Sequence, residues 1–168
     1  MIETAPLKIR LYGDPCLRKK SKPIDEVGPG ERMLIKSMIA TMIEAKGVGL
    51  AAPQVGINQR LFVMDVGDGP LAIINPKITK KLGADVLEEG CLSIPEVTID
   101  IERPQQITVK YLDENGKAME MTCDELKARI IQHETDHLNG KLIVDYASAD
   151  EKAEFKNQLK TLEENHKK

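Results

Sequence analysis

The sequence predicts an α+β fold. Strand-type apolar alternation fills the middle of the chain, and helical spacing marks its ends. Composition agrees: 168 residues, 41% apolar and 30% charged, can bury a core without staples. No internal repeat, low-complexity tract or linker interrupts the texture, so residues 1–168 read as one domain, with 149–168 as a C-terminal helix and charged tail.

The elements follow in order. Asp14-Pro15 is a helix-start signal, Asp as cap and Pro in the first turn. A long helix follows Pro29-Gly30, with Ile35, Met38, Ile39, Met42 and Ile43 on one face, and stops near Gly47. Residues 47–54, Gly-Val-Gly-Leu-Ala-Ala-Pro-Gln, hold too much Gly and Pro for a regular element. Strands are expected over 60–66, 71–80 and 84–88. Another covers 97–101, where Val97, Ile99 and Ile101 alternate with polar residues. Two more, 106–111 and 117–122, flank Asp113-Glu114-Asn115-Gly116, and the Asn-Gly pair marks a hairpin. A second helix spans about 124–138 and ends at Asn139-Gly140. A short strand at 142–144 precedes a third helix over 149–164, with Phe155, Leu159 and Leu162 on one face.

Charge and composition exclude several function classes. A net charge of -3 with 3% aromatic residues fits neither a charge-driven DNA binder nor a single-strand stacking platform. No apolar run approaches the roughly 18 residues that a membrane span needs. The N-terminal Met-Ile-Glu-Thr-Ala-Pro lacks a basic start, an apolar stretch and a small-residue cleavage site, so a cytoplasmic location is expected. Cys16, Cys91 and Cys123 are an odd number without regular spacing, which argues against a disulfide framework.

Chemistry concentrates in His133-Glu134-Thr135-Asp136-His137 on the second helix. Two histidines four apart project from one helix face and can bind one metal ion. The glutamate beside the first can reach a water on that ion without being a ligand. The alternative is a solvated polar face, yet the pair uses two of the chain's three histidines. A catalytic site also needs a third protein ligand and an open position. A third His six residues after His137 is excluded, because that position is Ile143. An acidic ligand some twenty residues downstream meets Asn157, with Glu154 and Glu163 off that spacing. Cys91, in Glu89-Gly90-Cys91-Leu92-Ser93, remains: a thiolate suits a borderline or soft divalent metal, and the preceding glycine permits close approach. Cys16 and Cys123 lack such a setting and read as small buried hydrophobes.

The three segments 47–54, 89–93 and 133–137, in this order and spacing, resemble the peptide deformylase family, in its compact bacterial class. Asp14-Pro15 with Leu17-Arg18 and the ending Leu138-Asn139-Gly140 extend the resemblance over nearly the whole chain. It implies an enzyme that removes the N-formyl group from the initiator methionine of nascent polypeptides, releasing formate. Cys91, His133 and His137 would hold one divalent metal, Fe(II) first, with Zn, Ni or Co also possible. The metal would lower the pKa of a water that attacks the formyl carbon, with Glu134 as general base and then acid. Gln54 and the Leu92 N–H would stabilise the developing oxyanion. Val48, Gly49 and Gly90 would line an added-strand track for the substrate backbone, bordered by Glu89. Val48, Leu126 and Ile130 are pocket candidates for the methionine side chain, or ordinary core. Glu89 would pair with Arg103, and Asp136 would orient a ligand or an arginine.

The expected architecture is therefore mixed or antiparallel β-sheets packed around a central metal-binding helix, with a C-terminal helix. One position departs from the family pattern. Many relatives carry arginine where this chain has Thr98, and Arg129 is the candidate to supply a basic group at the pocket rim. Lys152, Lys156 and Lys160 share a face of the last helix, a possible ribosome contact or simply a solvated face. A general metallopeptidase and a catalytically silent metal-binding homologue are the competing readings.

Overall fold

The computed structural model describes residues 6–167. Among the described residues, two antiparallel sheets and three α-helices make the fold. The five-stranded sheet has the order β1 (Gly49–Ala51), β2 (Leu61–Met64), β3 (Leu71–Leu82), β6 (Gln106–Leu112), β7 (Ala118–Asp124). The second sheet pairs β4 (Asp85–Cys91) with β5 (Ile94–Arg103). Of the expected mixed or antiparallel sheets, the antiparallel form is present. The one parallel contact among the described residues is an isolated bridge between Lys22 and Gln59.

Strand periodicity sorts side chains into layers. On β2, Leu61 and Val63 face α1 (Pro29–Glu44) and join Ile35, Met38 and Met42 in one core. Phe62 and Met64 face the other way and meet Ala128 and Ile131 of α2 (Glu125–Leu138). A third core packs Val97, Ile99 and Ile101 of β5 against Phe155, Leu159 and Leu162 of α3 (Ala149–His166). Helix α2 thus lies on the five-stranded sheet while its His133 and Arg129 reach Glu89 on β4. Among the described residues no helix is long and apolar enough to cross a membrane.

Three expectations need correction. Residues 49–51 form a strand, because pairing of Gly49 with Met64 and Ala51 with Phe62 overrides the Gly/Pro signal. The apolar run at 142–144 is no strand: Ile143–Tyr146 forms a 3-10 turn, closed by the Leu142 N–H donating to the Asp145 carboxylate at 3.0 Å. Ile43 is 63% exposed, off the buried face of α1.

Helix ends account for two glycines. Helix α1 closes in a Schellman arrangement, Lys46 N–H to Ile43 O and Gly47 N–H to Met42 O. The left-handed residue there is Lys46, φ 58°, not a glycine. Gly47 is needed for space, since a Cβ on it would lie 2.7 Å from Leu92 Cδ1. Helix α2 ends the same way, with Gly140 at φ 73°. A Cβ there would lie 2.5 Å from the Arg18 carbonyl oxygen. Gly140→Ala therefore combines a left-handed alanine with a backbone clash. It is expected to cost on the order of 2 kcal/mol, read as a drop of about 5 °C in Tm by calorimetry.

Candidate active site

Cys91, His133 and His137 converge. One ligand atom from each lies within 4.8 Å of the others, and Cys91 Sγ is 3.4 Å from His137 Nε2. The two histidines share a face of α2, as their spacing requires. Cys91 is delivered by the β4–β5 hairpin, whose register shifts between Gly90 and Cys91. That irregularity re-aims the side chain toward the helix, a common use of bulges beside sites. Glu154 and Glu163, the acidic alternatives, take no part: Glu154 is exposed on α3, and the Glu163 backbone lies against Gly13. Cys16 donates to the Pro53 carbonyl oxygen at 3.4 Å, its thiol pushed up to about 12 by burial. Burial also raises the Cys123 thiol.

The cluster suits a divalent metal. A thiolate and two imidazoles are a soft-to-borderline donor set, and three protein ligands leave a fourth position open. Burial and the neighbouring His133 push His137 down, which keeps it in the neutral, ligating form. Beside the cluster Glu134 Oε2 is buried with no hydrogen-bond partner, while Oε1 lies 3.9 Å from His133 Nε2. Burial, with Glu89 and Asp136 adding, pushes the Glu134 carboxyl up to about 7 against His133 and Arg103. A buried carboxyl raised toward neutrality suits proton transfer in both directions.

Gln54 is 1% exposed and fixed at both ends of its amide. Its Oε1 accepts from the Ala51 N–H at 2.9 Å. Its Nε2 donates to Ser93 Oγ at 3.0 Å and lies 3.6 Å from Cys91 Sγ. Ser93 carries no sequence signal of its own beyond its place inside the second motif. Gly49 faces Glu134 closely: a Cβ would lie 2.7 Å from its Oε1.

These groups open into a cleft of about 410 Å³. Val48, Gly49, Gly90, Leu92, Leu126 and Ile130 all line it. Val48 and Leu126 are 49% and 52% exposed, so they are wall rather than core, whereas Ile130 is buried. Glu89 also borders the cleft, but its oxygens are engaged elsewhere. They accept from Arg103 Nε and Nη2 at 2.6 and 3.0 Å and from Arg129 Nη1 at 2.5 Å, and pair with His133 Nδ1 at 2.9 Å. Although burial raises it, the His133 and Arg103 hydrogen bonds hold this carboxyl down at about 2. Asp136 does meet an arginine, at 2.9 Å from Arg103 Nη1. Arg129 is buried, not free at the rim: beyond Glu89 its guanidinium donates to the carbonyls of Ile101 and Asp85. Thr98 is exposed, opposite Gly90 on β5.

Known proteins resemble this chain in sequence and fold. Residues 6–153 match the family described as Polypeptide deformylase. A peptide deformylase of Thermotoga maritima is 51% identical over 142 residues, covering 84% of this chain and 87% of the relative. The crystal structure of the peptide deformylase from that organism superposes with a TM-score of 0.83, covering 85% of this chain and 98% of the other. A peptide deformylase from Legionella pneumophila, 39% identical, covers 98% of this chain and 99% of its own with a TM-score of 0.90. One from Synechococcus elongatus, solved in complex with actinonin, is 44% identical with a TM-score of 0.88, covering 94% of this chain and 88% of its own.

Proposed function

The chain belongs to the peptide deformylase family, whose members hydrolyse the N-formyl group of new polypeptides in a metal-dependent reaction, and on that premise we propose how its own residues divide the work. Cys91, His133 and His137 would hold one divalent ion. Bound there, the ion would supply Lewis acidity toward a carbonyl oxygen or a water. Glu134 takes the proton from the attacking water as the water oxygen bonds to the formyl carbon, and returns a proton to the amine as the C–N bond breaks. Formate and a free amino terminus result. The observation that carries this reading is the buried, unpartnered Glu134 Oε2 beside the three-ligand cluster.

The developing oxyanion is met by the Gln54 amide and the Leu92 N–H. Gln54 is held in place by Ala51 and Ser93, so its amide needs no reorganisation as charge develops. Gln54→Ala is expected to lower kcat about 100-fold or more, with KM for a formylated tripeptide changed far less.

The substrate backbone lies along Val48, Gly49 and Gly90 as an added strand. The methionine side chain enters between Val48, Leu126 and Ile130, which line the cleft together with Glu89. Fe(II) is the native ion in this reading, and Zn, Ni or Co can replace it. Residues 1–168 act as one catalytic domain, in the cytoplasm, where nascent chains emerge. The exposed Lys152, Lys156 and Lys160 on α3 offer a basic face to ribosomal phosphates. Formate release from formyl-Met-Ala-Ser by protein purified without oxygen and loaded with Fe(II) or Ni(II) tests the reading. Rapid release supports it, and none from fully metallated protein overturns it.

A further inference from the structure

A chain of hydrogen bonds runs from the half-buried Tyr146 to a metal-site histidine. The Tyr146 hydroxyl donates to Asp136 Oδ2 at 2.6 Å. The same oxygen accepts from Arg103 Nη1 at 2.9 Å. Arg103 grips both oxygens of Glu89, and Glu89 Oε1 pairs with His133 Nδ1. The Arg103 side chain is only 4% exposed, so these partners fix it; Asp136, at 21%, has the freedom to turn to water.

The tyrosine is itself held. Two cations approach its ring, Lys141 Nζ at 4.1 Å and Arg103 Cζ at 5.0 Å from the ring centroid. The turn carrying it is pinned by Asp145, which accepts from Arg18 at 2.7 Å and from the Leu142 N–H at 3.0 Å. A rigid hydroxyl thus restrains the most exposed link of a path whose other links are buried.

We propose that Tyr146 is a positioning residue for the metal site, acting through Asp136, Arg103 and Glu89 on the orientation of His133. The proposal rests on the reading that Cys91, His133 and His137 hold the metal. Partners behind a ligating histidine fix its ring and raise its basicity, and losing one typically weakens metal binding about 10- to 100-fold.

Tyr146→Phe tests it, because phenylalanine keeps the ring that both cations approach and removes only the hydroxyl. Two readouts are needed: the dissociation constant for Co(II), and the ligand-field absorption of the Co(II)-loaded protein. Cys91→Ser is the control for the site itself. The expected result is about tenfold weaker Co(II) binding and shifted ligand-field bands, with the metal-free Tm within a few degrees of the parent. In an Asp136→Ala background the hydroxyl keeps only a long contact, accepting from Arg103 Nη1 at 3.5 Å, so Tyr146→Phe should change little further. An unchanged Kd and spectrum, whether or not Tm falls, overturns the proposal, as does additivity with Asp136→Ala. If the parent and Cys91→Ser bind Co(II) equally, the ligand assignment fails, and the proposal with it.

Discussion

Glu134→Gln is expected to keep its fold and its metal and to release formate at least 100-fold more slowly than the parent. Glutamine matches glutamate in shape, which matters at a residue 4% exposed and packed against Gly49 with no room for a Cβ. It cannot take a proton from water or return one to the amine. Electrostatics favour survival of the fold. Burial pushes the native carboxyl up to about 7, so its charged form is disfavoured there, and a neutral amide removes that penalty. The parent must ionise Glu134 to act as base, so its rate falls as pH drops through the pKa of that group. The residual rate of the variant should lack this acid limb. Metal content per chain and formate yield over pH 5–9 are the measurements. A variant within tenfold of the parent would mean that another group moves the proton.

Much of the site was legible because its signals are local. The His133–His137 spacing guarantees a shared helix face, and Cys91 stood out as the remaining ligand in the second motif, where the structure adds a register shift that no sequence signal announced. Alternation at Val97, Ile99 and Ile101 placed β5, and the spacing of Ile35, Met38 and Met42 placed α1. What stayed hidden is set by partners distant in sequence. The strand at Gly49–Ala51 exists because β2 pairs with it, and local propensity opposes it. Arg129 gave the signal of a free basic group, yet it meets Glu89 across forty residues of chain. The hydroxyl of Tyr146 has no sequence signal at all, since its partner Asp136 is defined only by the turn after α2.

The second large effect is expected from Glu89→Gln, on stability as much as on metal. Among the described residues Glu89 is the sole carboxylate meeting the buried Arg129 side chain, 7% exposed, and it is the main partner of Arg103, 4% exposed. Whether an intact buried ion pair stabilises relative to an apolar replacement varies between proteins, but removing one partner strands a charge. Glutamine strands Arg129, leaves Arg103 with Asp136 alone, and sets an amide donor against guanidinium donors. A loss of about 3–5 kcal/mol is expected, read as a fall of roughly 10 °C in Tm. Its pH dependence has a definite sign. The folded carboxyl sits at about 2 against an ordinary 4.5, so between these values the unfolded chain binds more protons. The stabilisation is complete above about 4.5 and drains away as pH falls toward about 2. Parent and variant both shed metal in acid, so the informative quantity is the difference in unfolding free energy between the two metal-free proteins. That difference should shrink through this window, because only the parent has a Glu89 charge to lose. A difference constant from pH 7 to the acid end would mean that the arginines are held by geometry and carbonyl contacts, and that Glu89 matters through shape alone.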